Sequence, residues 1–87
     1  MNPKIKLNMT GRDLLDLTPA QFETLVTFMD FRERHGLSPT YDELAEILGL
    51  VRSTCRTRIK YLIAKGYLVS VGAHRGLQVT SKVELLA

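Results

Sequence analysis

Between Thr18 and Gly66 the chain is divided by its own start and stop signals into three helical segments, and that punctuation dictates how it must fold. The first start is "LTPAQ". Thr18 is a helix N-cap, Pro19 suits the first helical position, where its missing N–H costs nothing, and Gln21 completes a Thr-x-x-Gln capping box. Phe22, Leu25, Val26 and Met29 recur at helical spacing, and Gly36 is placed to end the helix in a left-handed conformation. Phe28 and Phe31 fall outside this stripe; they either widen the buried face or form a partner surface such as a dimer contact. The second start is "SPTYDE", in which Pro39 keeps Ser38 extended, Thr40 caps and Glu43 closes another capping box. Leu44, Ile47 and Leu48 are its apolar face, and Gly49 stops it after two turns, so it must be held by packing. The third segment runs over Arg52–Ala64 with Gly66 as its stop. Val51 stands where a capping hydroxyl is expected, and Ser53 is the candidate for a later cap.

The segment "YLVSVGAHRGLQVT" changes period. Alternating and β-branched residues flank Gly72 and Gly76, which predicts a β-hairpin with strands Tyr67–Val71 and Leu77–Thr80 and a tip near His74 and Arg75. The predicted fold is mainly α with a small β-hairpin: a three-helix bundle plus wing, the winged helix-turn-helix. Ala45 lets a crossing helix approach closely, and Gly49 lets the chain reverse. The expected organisation is an N-terminal extension over 1–17, the winged domain over 18–80 and a C-terminal tail over 81–87. In the extension, "PKIKL" reads as a basic arm or short strand and "TGRDLLDL" as a turn or two of helix. The tail frays, adds a turn, or packs back through Leu85 and Leu86.

The charges are divided unevenly. The 87 residues carry a formal net charge of +3. Yet Arg52, Arg56, Arg58, Lys60, Lys65, Arg75 and Lys82 fall in residues 47–83 with no acid among them, while the first half is acidic on balance. Such asymmetry points to a polyanionic partner. At about 100° per residue, Cys55, Ile59 and Leu62 form one buried stripe within about 40°, and Ser53, Thr57 and Lys60 lie on the opposite side. Arg56 lies on one flank, Thr54 and Tyr61 on the other. Every residue of that outward face can donate a hydrogen bond, which suits the acceptor-rich major groove of double-stranded DNA. Arg56 is the candidate for a base edge, and Ser53, Thr54 and Thr57 for base or phosphate contacts. Tyr61 can reach phosphate, and Arg52 and Lys60 should grip it. Thr40 is placed either to cap alone or to offer helix N–H groups to a phosphate. His74 and Arg75 would lie along the backbone or in the minor groove. Arg58 leans to the packed side, towards an acid such as Glu46, and Lys65 suits the negative end of the helix dipole.

Other function classes find little support. His35 and His74 are far apart, no nucleophile–base pairing or phosphate loop is present, and the carboxylates do not converge, so no catalytic residue and no enzyme are expected. A single Cys on the buried stripe suits a reducing compartment, and no cofactor or metal is expected. No apolar run spans a membrane and no signal core is evident, which places the chain in the cytoplasm, at the nucleoid. The competing reading is a protein-interaction winged helix that acts as an inhibitor or adaptor of another regulator or polymerase, its basic face meeting an acidic protein.

The stretch "LTPAQFETLVTFMDFRERHGLSPTYDELAEILGL" resembles the first two helices of the LexA repressor family's DNA-binding domain. The Leu-Thr opening, the Gly-x-x-Pro-Thr hinge, the Glu-Leu-Ala centre and the Leu-Gly end fall in register. "KGYLVSVGAHRGLQV" is similar to that family's wing in its Lys65-Gly66 and its Arg75-Gly76 followed by an apolar residue. The resemblance covers about residues 17–80. It implies a recognition helix at 52–64 in the major groove, a wing on the backbone, and a bacterial or phage transcriptional regulator of repressor type. The turn before the third helix and the wing each look one residue shorter than in that family, and the face "RSTCRTRIKY" is more basic, so its operator does not carry over. The chain leaves no room for the family's Ser–Lys self-cleavage domain, and the expectation is a regulator without it. A homodimer would then form through the N-terminal extension or through Phe28 and Phe31.

Overall fold

The computed structural model describes residues 17–83; the expectations for the basic arm, for the rest of the extension and for Leu85 and Leu86 lie outside them. The described residues form three helices and an antiparallel hairpin, in the order α1 (Pro19–His35), α2 (Tyr41–Leu48), α3 (Arg52–Ala64), β1 (Leu68–Ser70) and β2 (Leu77–Val79). Both capping boxes are formed. Thr18 Oγ1 accepts from Gln21 N and Gln21 Oε1 from Thr18 N, each at 3.1 Å. Thr40 and Glu43 repeat the exchange at α2. Gly36 and Gly49 end their helices at φ 70° and 67°, where any side chain would be strained. The third helix starts at Arg52 with Val51 as N-cap and no capping side chain, so Ser53 is not a late cap. Ser53 sits inside the helix, and its carbonyl accepts the Thr57 hydroxyl at 3.0 Å.

The core gathers Leu25, Phe28 and Met29 of α1, Leu44 and Ala45 of α2, and Cys55, Ile59 and Leu62 of α3. Tyr67, Leu68 and Leu77 from the hairpin, together with Leu17 and Val83, close it. Two sequence expectations are corrected here. Phe28 is 0 % exposed and lies in the core, so it offers nothing to a dimer partner. The reason is that α1 packs against both α2 and α3, which needs a wider apolar arc than one stripe. Phe31 is half-buried, and its ring lies 4.3 Å from that of His35. Ile47, expected on the apolar face of α2, is 57 % exposed, and Ala45 takes the inward position. Small Ala45 at that crossing is what allows α2 and α3 to approach.

Each strand is shorter than its pattern suggested. Three pairs make the ladder: Leu68 with Val79, Val69 with Gln78, and Ser70 with Leu77. Side-chain links tie the elements together. Lys65 Nζ donates to Gln21 Oε1 at 2.9 Å, joining the end of α3 to the start of α1. Arg58 does not meet Glu46; its guanidinium reaches Glu23, Thr24 Oγ1 and the Ala20 carbonyl on α1. Burial pushes the Cys55 thiol above its ordinary pKa, and Sγ–H points at the Tyr41 carbonyl, 3.7 Å away. Such a protonated, enclosed thiol is a packing group.

Candidate nucleic-acid interface

The side of α3 turned away from the core is exposed along its length. Arg52, Ser53, Arg56, Thr57 and Lys60 all lie open on it, and Thr54 and Tyr61 are open on the flank beside Arg58. Neither Arg56 nor Lys60 has an ion-pair partner among the described residues. The Arg56 guanidinium instead lies 5.5 Å from the centre of the Tyr41 ring, over the first residue of α2. That contact holds the cation beside the outer surface of α3 without neutralising it. Arg52 Nε lies 3.1 Å from Asp42 Oδ1, and both side chains are about two-thirds exposed. An exposed pair of this kind is weak, so a phosphate can compete for Arg52.

Arg52 and the hairpin tip border one depression of about 310 Å³, lined by Thr40, Asp42, Arg52, Ser70, His74 and Arg75 among others. The tip is built by backbone geometry. Gly72 adopts φ 77°, Arg75 adopts φ 57°, and Val71 N donates to the Gly76 carbonyl at 2.9 Å. A Cβ on Gly76 would come within 2.5 Å of the Ala73 carbonyl oxygen, so the close turn requires glycine there. His74 is exposed at this tip.

Arg75 corrects the sequence reading. Expected to project from the wing with His74, it turns inward. Its Nη1 donates to Glu43 Oε1 at 2.6 Å and to the Ser38 carbonyl at 3.0 Å, and its Nη2 donates to Glu43 Oε2 at 3.0 Å. This fork, with the Thr40 backbone N–H behind it, holds the Glu43 carboxyl down to about 2 and raises the Arg75 pKa. Thr40 is a capping residue: its hydroxyl accepts from Glu43 N at 3.1 Å. Its half-buried side chain still borders the depression.

The structure therefore brings Arg52, Ser53, Arg56, Thr57 and Lys60 onto one face and sets Thr40 and His74 at its edge. Thr54 and Tyr61 flank it, and Arg75 withdraws behind it. Tyr41 and Asp42 were missed from the sequence. They follow the Thr40 cap directly, and that position at the start of a helix facing α3 was the available signal. Among the described residues no helix is long and apolar enough to cross a membrane.

Comparison with known proteins agrees with this geometry. The helix-turn-helix domain family matches residues 15–68. The LexA repressor of Oleidesulfovibrio alaskensis is 39% identical over 66 residues, which is 75% of this chain and 32% of the relative. The chain thus spans about a third of that relative's length. The exposed third helix, the tight turn at Gly49, the two-stranded wing and these matches together establish that the chain belongs to the helix-turn-helix domain family, as a LexA-like DNA-binding domain.

Proposed function

We propose that this domain binds double-stranded DNA sequence-specifically and acts as a bacterial or phage transcriptional regulator of repressor type. In this reading α3 lies in the major groove. Arg56 reads a base edge, Ser53, Thr54 and Thr57 contact bases or phosphates, Tyr61 reaches phosphate, and Arg52 and Lys60 grip the backbone. The hairpin tip, with His74, meets the flanking backbone, and the start of α2 at Thr40 faces the same phosphate track. The observation that carries the reading is the outer face of α3: open, rich in donors and free of acids from Arg52 to Ala64. The resemblance to the LexA repressor supports the class of target.

Salt titration tests it. Neutralising roughly four to six phosphates gives a plot of log affinity against log salt with a slope of about −4 to −5. Fluorescence anisotropy of a labelled duplex across a salt series measures that slope. A slope near −1, or binding indifferent to salt, overturns the proposal. A dimer reads two half-sites about one helical turn apart, so footprint length reports how many copies bind.

A further inference from the structure

We infer that Arg75 is a positioning residue for DNA binding: its guanidinium clamps the wing to the start of α2 through Glu43, fixing where the hairpin tip meets the duplex. The inference rests on the DNA-binding reading and concerns how one part of that interface is held in place.

The wing is poorly anchored by its own ladder. Three residue pairs join its strands, and a two-stranded hairpin of that size is marginal in water. Its base is fixed by Tyr67, Leu68 and Leu77 in the core, but Val69, Val71, Gly72, Ala73 and His74 are all exposed. What reaches from the tip back to the helical body is Arg75. Its backbone sits at φ 57°, a left-handed conformation that a non-glycine residue adopts at a cost. Gly76 cannot take a Cβ, because Ala73 N and O lie where that atom would go. The turn therefore aims the Arg75 side chain at α2, and three hydrogen bonds of 2.6 to 3.0 Å receive it there.

The acceptor is itself fixed. Glu43 Oε1 also accepts from Thr40 N at 2.8 Å, and Thr40 Oγ1 accepts from Glu43 N. One carboxylate thus caps α2 and holds the wing. Wing tip and helix start become one rigid unit, with His74 and Arg52 both lining the depression. Planar two-point pairing of guanidinium and carboxylate fixes orientation as well as distance, which a lysine cannot reproduce. The side chain that sequence reasoning assigned to the DNA thus aligns the groups beside it.

The sign of one substitution separates this from direct contact. Glu43→Gln keeps an oxygen for the Thr40 N–H but removes the charge that holds Arg75. If Arg75 positions the wing, loss of the clamp weakens DNA binding. If Arg75 contacted phosphate itself, removing the acid beneath it would strengthen binding. Anisotropy titrations of a labelled mixed-sequence duplex, across a salt series, compare the whole chain with Glu43→Gln, Arg75→Lys, His74→Ala and the His74→Ala/Arg75→Lys pair. Circular dichroism melts confirm that each variant is folded. Glu43→Gln and Arg75→Lys are each expected to bind roughly five- to tenfold more weakly at every salt concentration. His74→Ala is expected to weaken the unaltered chain and to add nothing on the Arg75→Lys background. Equal or tighter binding by Glu43→Gln overturns the inference, as does an additive His74→Ala effect. An unaltered chain without salt-dependent binding removes the DNA-binding reading, and the clamp's role with it.

Discussion

Arg56 shows how one side chain can be both held and available. It lies about a quarter-turn from the buried Cys55 stripe, so it borders the outer face without leaving the helix packing. Its guanidinium sits over Tyr41, an attraction of about 0.5–1 kcal/mol at an exposed site, and no carboxylate among the described residues occupies its donors. A guanidinium in that state can swing onto the two acceptors of a guanine edge with little to give up. Arg56→Ala is expected to cost about 1–3 kcal/mol of affinity on a selected site and to relax base choice at one position. Selection from a random duplex pool, run in parallel on the unaltered chain and the variant, measures both. A uniform loss on every sequence would reassign Arg56 to the phosphates. Most of this face was legible because helical period alone puts Ser53, Thr57 and Lys60 opposite Ile59 and Leu62. Arg75 was not legible. A basic residue at a hairpin tip reads as solvent-facing, and the partner that reverses it, Glu43, is 32 residues away on another element. No spacing rule couples those two positions.

At the scale of elements, α2 is the piece whose existence most depends on its neighbours. Eight residues do not make a stable helix alone, and its capping box, its buried Leu44 and Ala45 and the Arg75 fork all bear on it. The fork makes its stability sensitive to acid. Glu43 titrates near 2 in the folded chain and near its ordinary 4.5 when unfolded, chiefly because of the Arg75 side chain and then the Thr40 N–H. A carboxylate depressed by folding stabilises the fold fully above the unfolded value, and that contribution is lost as pH falls through the folded value. The melting temperature of the unaltered chain is therefore expected to drop between pH about 4.5 and 2, and that of Glu43→Gln to drop less over the same window. Parallel melts followed by circular dichroism decide it; identical pH profiles would remove Glu43 as a source of the acid sensitivity. Caps and glycine stops made the first two helices readable from the sequence, and the third was readable from its apolar stripe and the Gly66 that follows it. Burial was less readable. Eight residues of α2 do not say which apolar side faces in, so Ile47 was misplaced. Likewise α1 contacts two helices, so Phe28 belongs to the core although it lies off the tidiest stripe.

At the scale of the whole fold, the proposed docking depends on where the charge of the described residues sits more than on how much there is. The described residues measure 30 × 25 × 24 Å, so opposite faces are separated by more than the roughly 8–10 Å over which salt screens surface charges. Lys60 stands on the outer side of α3, with no ion-pair partner among the described residues. Arg34 stands about 180° around α1 from the fully buried Leu25, paired with Asp30 at 2.8 Å, on a surface directed away from the core that α1 shares with α3. Lys60→Gln and Arg34→Gln each remove one positive charge, so they leave chains of equal net charge. If α3 docks in the groove as proposed, Lys60→Gln releases one fewer counterion, and the slope of log affinity against log salt becomes shallower by about 0.9. Arg34→Gln should leave slope and affinity unchanged, because its charge never approaches a phosphate. Both slopes come from one anisotropy series on the same duplex. Equal losses for the two variants would mean that net charge alone attracts the duplex, and the oriented docking of α3 would have to be abandoned.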